Sequence, residues 1–441
     1  MNPIHPANRP RTRSIIRIRI DSPISKEIRW AWALFARDTG LPWTLVEDKT
    51  APIDLLISED PGADLVLSMA FRASYQSNQF HFKRLMGEEP VILNEAGHPD
   101  YLSTTFYLVN SIQEHHPGKK DQFNRFPYSE SLQANYGCIE ENLVGGYFKA
   151  LYQSIPLLRE SGPLLSHPSR LFLSHDIDFL YGSWKEDGKA VLLKGRIDQF
   201  VSLLARKGSK NEDWFNTGEL MGVDKKHGFP ATFFWIPEQT KNRTQNPPDA
   251  DYTLSDPRVL TALDEIHNAP AFEIGLHRSS LGSLLTEVNK LPFPVRANRN
   301  HFLKINLPDH YEAVAASGLK IDASLGFAEH FGFRNSYGKP FSPWSAKQHK
   351  TLPFIEVPLH FMDATFEHYL KTGPDGAIDA CASFMEKHQN DCVLSLLWHN
   401  NYFSKHAYGD YREVYLEMLP LIRSFGIQGI DNEDLIRHFS A

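Results

Sequence analysis

The segment Ser174-His175-Asp176-Ile177-Asp178 follows an apolar run, Leu171-Phe172-Leu173, that reads as a buried strand. Spaced by two, Asp176 and Asp178 share one side of an extended chain. Two neighbouring carboxylates repel unless a proton or a cation relieves them. A divalent ion would do so, leaving one carboxylate as ligand and the other as a base. A turn with helix-capping aspartates fits an isolated Asp-x-Asp equally well, since a motif this short is weak by itself.

Two further apolar runs deliver histidines. Phe272-Glu273-Ile274-Gly275-Leu276 ends at His277, followed by Arg278, Ser279 and Ser280. Imidazole is the commonest protein metal ligand, and a histidine bonded to a loop carbonyl is the plain alternative. The run 393–398 ends in Trp398 and leads to His399-Asn400-Asn401. Such a histidine can serve as a general acid and such a tryptophan can stack on a sugar ring. A core tryptophan beside a surface histidine explains them as well. Arg299-Asn300-His301, Ile321-Asp322 and the stretch from Pro358 to Asp363 also place polar groups near strand ends, for chemical or structural reasons.

The elements that must position these groups alternate in kind. Strand-like runs at 171–173, 231–235, 272–276, 355–359 and 393–398 are interleaved with helical stretches at 307–317, 377–388 and 411–425. Repeated strand–helix units predict a parallel sheet or barrel. In a parallel barrel the carboxyl ends of the strands gather at one face, which holds the active site. The polar stretch 239–251 reads as an exposed loop. Before about Pro168 the rhythm differs. Ile16 to Ile20 alternates isoleucine with arginine, a strand signal, 28–35 suits a helix, and 55–57 and 65–67 suit short strands. Gly162-Pro163 and His167-Pro168 mark a break. The expected organisation is a smaller α/β domain over 1–165 and a larger domain over 166–441.

The chain of 441 residues is 41% hydrophobic and 12% aromatic, enough to fill a large core. Its net charge of -7 gives no reason to expect nucleic acid, which selects a basic face. Cys138, Cys381 and Cys392 are too few and too scattered for a disulfide framework or a cysteine-based zinc site. They read as small buried apolar residues in a reducing compartment. No apolar segment of signal-peptide length follows the basic N-terminus, and no run approaches the ~20 apolar residues that span a bilayer. The expectation is a soluble, cytoplasmic protein, with oligomeric state left open.

Taken together, these segments resemble the polysaccharide deacetylase family, carbohydrate esterases that remove acetyl groups from chitin oligomers and peptidoglycan. The family's Thr-Phe-Asp-Asp is matched by the Ser-His-Asp-Ile-Asp above. Its Pro-Ala-Thr-Phe-Phe strand is matched by Pro230-Ala231-Thr232-Phe233-Phe234. Its Glu-Ile-Gly-x-His is matched by Glu273 to His277, and its late Leu-x-His by Leu397-Trp398-His399. The resemblance covers about 166–441.

It implies a distorted (β/α) barrel and a divalent metal, commonly zinc, held by an aspartate and two histidines. It implies a carbohydrate substrate and hydrolysis of an N-acetyl group. Asp176 is then the base that activates water on the metal, and His399 the general acid. Asp178 and His277 are metal ligands, and Arg299, Asp322, Trp398 and Ser279 line the substrate. Ile177 separates the two aspartates, so their roles can be exchanged. Where the family's second histidine falls, four residues after the first, this chain has Leu281, which leaves three outcomes open: His301 as the replacement ligand, solvent in its place, or a weakened or lost metal. Three readings stay open. They are a deacetylase, another C–N hydrolase on the same scaffold, and a degenerate carbohydrate-binding protein. In a further class, the 121–127 segment would present a partner surface in a glycan-assembly complex.

Overall fold

The computed structural model describes residues 15–80, 85–116, 118–181, 188–189, 191–193, 195–206, 213–240, 248–280, 282–406 and 408–440. They form two compact units. One is Met1–Tyr107 with Gly145–Leu165, and the other is Leu108–Val144 with Ser166–Ala441. The residues of 108–144, expected with the N-terminal domain, pack in the second unit. Buried charge explains this. The Arg334 guanidinium meets the Glu114 carboxylate at 2.6 and 3.0 Å, and both side chains are 2% exposed. Asn110 accepts from the Trp344 N–H at 2.9 Å.

In the first unit, β1 (Ile16–Asp21), β2 (Trp43–Leu45), β3 (Leu55–Ser58) and β4 (Leu65–Val66) form a parallel sheet in the order β2-β1-β3-β4. The isoleucine–arginine alternation works as expected. Ile16 and Ile18 are buried, while Arg17 faces out and pairs with Asp54 at 2.7 Å.

The second unit is built on β5 (Arg170–Ile177), β6 (Ala231–Trp235), β7 (Phe272–Arg278), β8 (Ala297–Asn300), β9 (Ile321–Asp322), β10 (Trp344–Ser345), β11 (Lys350–Thr351), β12 (Ile355–Glu356), β13 (Phe361–Met362), β14 (Val393–Leu397) and β15 (Gln428–Gly429). β10 and β11 pair antiparallel by themselves. The others make one parallel sheet in the order β12-β9-β8-β7-β6-β5-β14-β13, with β15 on β5. Helices Thr217–His227, Pro257–His267, Asp309–Ser317, Gly373–Lys387 and Gly409–Ser424 lie between successive strands. The expected strand over 355–359 shortens to β12, and its remainder has another task.

β12 and β13 occupy opposite edges of the sheet, yet only residues 357–360 separate them. Laid flat, eight strands about 4.8 Å apart would hold those edges some 34 Å from each other. The connection spans roughly 17 Å at most. The sheet therefore curls into an incomplete barrel. The connecting segment bridges the gap. Val357 N–H donates to Asp322 O at 2.8 Å and Leu359 N–H to Leu325 O at 2.9 Å on one side. On the other, His360 N–H donates to Ser395 Oγ at 3.1 Å, and Ser395 N–H donates to His360 Nδ1 at 3.0 Å.

Alternation decides what fills the barrel. Phe172, Phe234, Ala297, Ile321, Ala323, Ile355, Val357 and Val393 meet inside it, joined by Ile430 and Leu435. Gly275 opposes Phe234 in register, and a Cβ there would stand 2.5 Å from the Phe234 ring. Residues of the other parity face the helices. His175 bonds Asp224 at 3.0 Å, and Tyr415 donates to the same carboxylate. No helix of the described residues is long and apolar enough to cross a membrane.

Two outcomes follow from this packing. Gly275→Ala should lose about 1–3 kcal/mol in urea unfolding through overpacking. The His360 seam should make stability pH-dependent. Nδ1 accepts a hydrogen bond, and burial, with His388 nearby, pushes this imidazole down to about 3. The unfolded chain takes up a proton below about pH 6.5 that the folded chain refuses until about 3. This group therefore removes about 1.4 kcal/mol per pH unit across that window as pH falls. In His360→Asn, unfolding measured from pH 7 to pH 5 should lack that contribution; an unchanged slope would refute the assignment.

Candidate metal centre

The carboxyl ends of the central strands bring the chemically competent residues together. Asp178 follows β5, His277 lies near the end of β7, His301 follows β8, and His399 follows β14. β5 and β7 each place polar side chains at inward positions. This is why Asp176 and Asp178 lie 3.4 and 3.2 Å from the same atom, His277 Nε2. Asp178, His277 and His301 are all buried, and a ligand atom of each lies within 4.8 Å of the others. Asp178 Oδ1, His277 Nε2 and His301 Nε2 are buried without a hydrogen-bond partner. Buried polar atoms are normally satisfied, so three orphans aimed at one point call for a shared partner. An oxygen and two imidazole nitrogens form a donor set that suits a divalent ion such as zinc.

The surroundings orient each group. His277 Nδ1 faces Arg299 O at 2.9 Å, leaving Nε2 inward. His301 Nδ1 faces the buried Asp249 carboxylate at 3.4 Å. Burial opposes charge on His301, but Asp178 and Asp249 outweigh it and hold its imidazole up to about 9. The same histidine keeps the Asp178 carboxyl well below the ordinary range, against burial. The pocket thus favours positive charge at its centre. Directly after His301, Phe302 and Leu303 adopt positive φ of 59° and 51°, a strained turn for non-glycine residues. Arg125 donates to Phe302 O at 3.0 Å and holds that turn. Arg125 and Phe126 are buried, while Gln122 and Asn124 of the same 121–127 segment are exposed.

Arg299 is fully buried and works on Asp176 from below. Its NH1 donates to Asp176 Oδ1 at 2.9 Å and to Ser174 Oγ at 2.8 Å, while Nε donates to Ala323 O at 2.9 Å. The guanidinium lies over the Phe234 ring at 4.6 Å. On the far side, His399 Nδ1 meets Asp363 Oδ1 at 2.7 Å, and Asp363 Oδ2 accepts the His399 N–H at 2.6 Å. His399 Nε2 is turned to Asp178 Oδ2 at 3.8 Å. Burial disfavours its protonation, and Asp363 overcomes this, so the imidazole stands at about 10.

Three expected substrate contacts are placed elsewhere. Trp398 is 1% exposed and packs on Tyr411 and Tyr415, because it has the opposite parity to His399. Asp322 has the opposite parity to Ile321 and Ala323. It faces the Asp309–Ser317 helix, bonding His310 at 2.7 Å and Asn298 at 2.6 Å. Arg299 reaches Asp176 and is sealed from solvent. Ser279 does border a cleft beside the centre, although its hydroxyl is bonded to Glu287 at 2.6 Å. Trp344 and Phe333, two other large aromatics of this unit, are buried too. The substitution at Leu281 lies outside the described residues. Within 239–251, expected to be an exposed loop, Asp249 and Ala250 are fully buried. Asp249 was missed for that reason, since nothing in a polar, proline-bearing stretch signals a buried carboxylate.

Arg299→Ala leaves Asp176 buried and unpaired, which should cost about 3–5 kcal/mol in chemical unfolding. Arg299→Lys should recover little of it, because one ammonium cannot match the guanidinium fork. Full recovery by lysine would show that charge alone matters.

A family profile described as "Family of unknown function (DUF7033)" matches residues 41–159. A search of curated proteins gives no match. Among solved structures, the chain is similar to a Mycobacterium smegmatis protein provisionally described as a polysaccharide deacetylase, at 11% identity and TM-score 0.34, over 60% of this chain and 94% of that one. It is also similar to a CE4 family pseudoenzyme from Bacillus anthracis, at 10% identity and TM-score 0.32, over 62% and 68%. A mutant of that pseudoenzyme with restored activity aligns at 11% identity and TM-score 0.29, over 62% and 71%. The functional reading therefore rests on the residues of this chain.

Proposed function

We propose that this chain is a metal-dependent hydrolase that removes an acetyl group from an N-acetylated sugar. The observation that carries the reading is the convergence of three buried, unpartnered ligand atoms, Asp178 Oδ1, His277 Nε2 and His301 Nε2. Three protein ligands with room for a fourth is the pattern of hydrolytic rather than structural zinc. Such an ion, when bound, supplies Lewis acidity toward an acyl oxygen and toward water.

The protein's own groups divide the proton transfers. Asp176 is anchored through Oδ1 by Arg299, which leaves Oδ2 on the side of the centre. It is the group placed to accept a proton from an attacking water. His399 is fixed by Asp363 through Nδ1, with Nε2 toward the centre, and donates to the departing nitrogen. The Asp363 carboxylate keeps that proton in place at neutral pH.

The test is metal content by mass spectrometry on the full-length protein, beside His277→Ala and His301→Ala, with acetate release from N-acetylglucosamine oligomers. Wild type should carry about one divalent ion per chain. Each ligand variant should weaken binding by more than the about 10–100-fold seen for losing an outer partner. Asp176→Asn should keep the metal and lose about 100- to 10,000-fold in acetate release. Metal binding with hydrolysis of other amides, but none of acetylated sugars, would leave the scaffold chemistry and replace the substrate. Absence of metal after supplying zinc, cobalt or manganese would favour a non-catalytic carbohydrate-binding protein.

A further inference from the structure

A cleft of about 300 Å³ opens beside the metal centre and shares His301 with it. Arg278, Ser279 and Ser280 form one wall, continuing from β7. Asn300, Lys304 and Asn306 form another, and Asp309 and His310 close it at the start of the Asp309–Ser317 helix. Its charge is unlike that of the chain as a whole, which is -7. Lys304 is half-buried, and among the described residues no carboxylate lies within ion-pair distance of its ammonium. Arg278 Nε is buried and has no hydrogen-bond partner among the described residues, while its Nη2 donates to Gly282 O at 3.5 Å and its charge is felt by the buried Glu287. Lys120 reaches the same rim, donating to Asn306 Oδ1 at 3.3 Å.

The acidic groups nearby are already engaged. Asp309 pairs with Lys347 at 2.7 Å, and the buried Glu287 accepts both the N–H and the hydroxyl of Ser279. Asp249 accepts from Ser280 N–H at 3.0 Å. Cations, hydroxyls and amides around a cleft, at a helix start, recognise an oxyanion. An ammonium at a cleft wall with no ion-pair partner among the described residues is free to meet an anionic ligand.

We propose that this cleft is a subsite for an anionic group of the substrate, a phosphate or a carboxylate carried by the acylated sugar, held by Lys304 and Arg278. The inference rests on the hydrolase reading above for the reaction and names the class of sugar that reaction takes. The anion fixes one end of the substrate so that the acetamido group meets the centre beside His301. Binding energy far from the reacting bond is then used for orientation.

The experiment uses full-length protein with N-acetylglucosamine, its 6-phosphate, its 1-phosphate and N-acetylmuramic acid. At least one anionic sugar should exceed the neutral one by about 10-fold or more in kcat/KM, the yield of one charge-assisted hydrogen bond. Lys304→Gln should raise KM for that sugar by about 10-fold with kcat changed less than about 2-fold, and Lys304→Arg should restore it. The better of phosphate and carboxylate identifies the handle. Equal use of neutral and anionic sugars by wild type, or a Lys304→Gln variant with unchanged KM, overturns the subsite and leaves the hydrolase reading standing. If no sugar is hydrolysed, that reading fails and the cleft is judged separately by calorimetry with inorganic phosphate and with acetate. Binding by wild type that weakens about 10-fold in Lys304→Gln and in Arg278→Gln supports an anion site. No binding, or binding indifferent to both changes, overturns it.

Discussion

The architecture of the second unit depends on one short piece of chain. Residues 357–360 must connect the two outermost strands of a nine-stranded parallel sheet, so the sheet has to curl until they can. Curling directs the carboxyl ends of β5, β7, β8 and β14 toward a common axis. Asp178, His277, His301 and His399 come from those four ends and approach within a few ångströms only because the edges are drawn in. The closing segment also solves a hydrogen-bonding problem. The strand gap would leave edge amides without partners, and Ser395 with His360 supplies side-chain partners where the ladder stops.

A closed interior then sets the electrostatics. Asp176, Asp178, Asp249 and Asp363 are all buried around one centre, and buried carboxylates require compensation. Arg299 compensates Asp176, and protonated His399 compensates Asp363. His301 stands between Asp178 and Asp249, drawn toward the positive form by both. The arrangement is a shell of oriented acceptors around a point where positive charge is stabilised. The same logic extends to the layer below, where Phe234 lies flat under Arg299 and Gly275 leaves the space for its ring. A glycine in the middle of a central strand is thereby tied, through Phe234 and Arg299, to the position of Asp176.

Much of this was legible in the chain. The apolar runs at 231–235 and 272–276 became β6 and β7, and the helices near 309, 377 and 411 formed with small shifts at their ends. Of the polar groups expected at strand ends, Asp178, His277 and His301 are brought together. The differences have three causes. Trp398 and Asp322 sit at strand ends too, but one residue out of phase, and a period of two sends them to the helix-facing side. Arg299 is in phase, yet so deep that it meets a neighbouring carboxylate before any ligand. The segment 108–144 was assigned by position along the chain, whereas buried pairs such as Glu114 with Arg334 assign it by charge.

The sequence by itself determined the alternation of strands and helices, the residue types available at each strand end, and the spacing that puts Asp176 and Asp178 on one side. These are local properties, set by side-chain period and backbone preference. Only the tertiary structure decided which ends converge, which face of each strand is inward, and that Asp249, from a stretch without strand or helix signals, stands behind His301. It also decided that Lys304 lines a cleft beside the centre. Those outcomes depend on contacts between residues tens to hundreds of positions apart, governed by sheet closure and by the cost of burying charge without a partner.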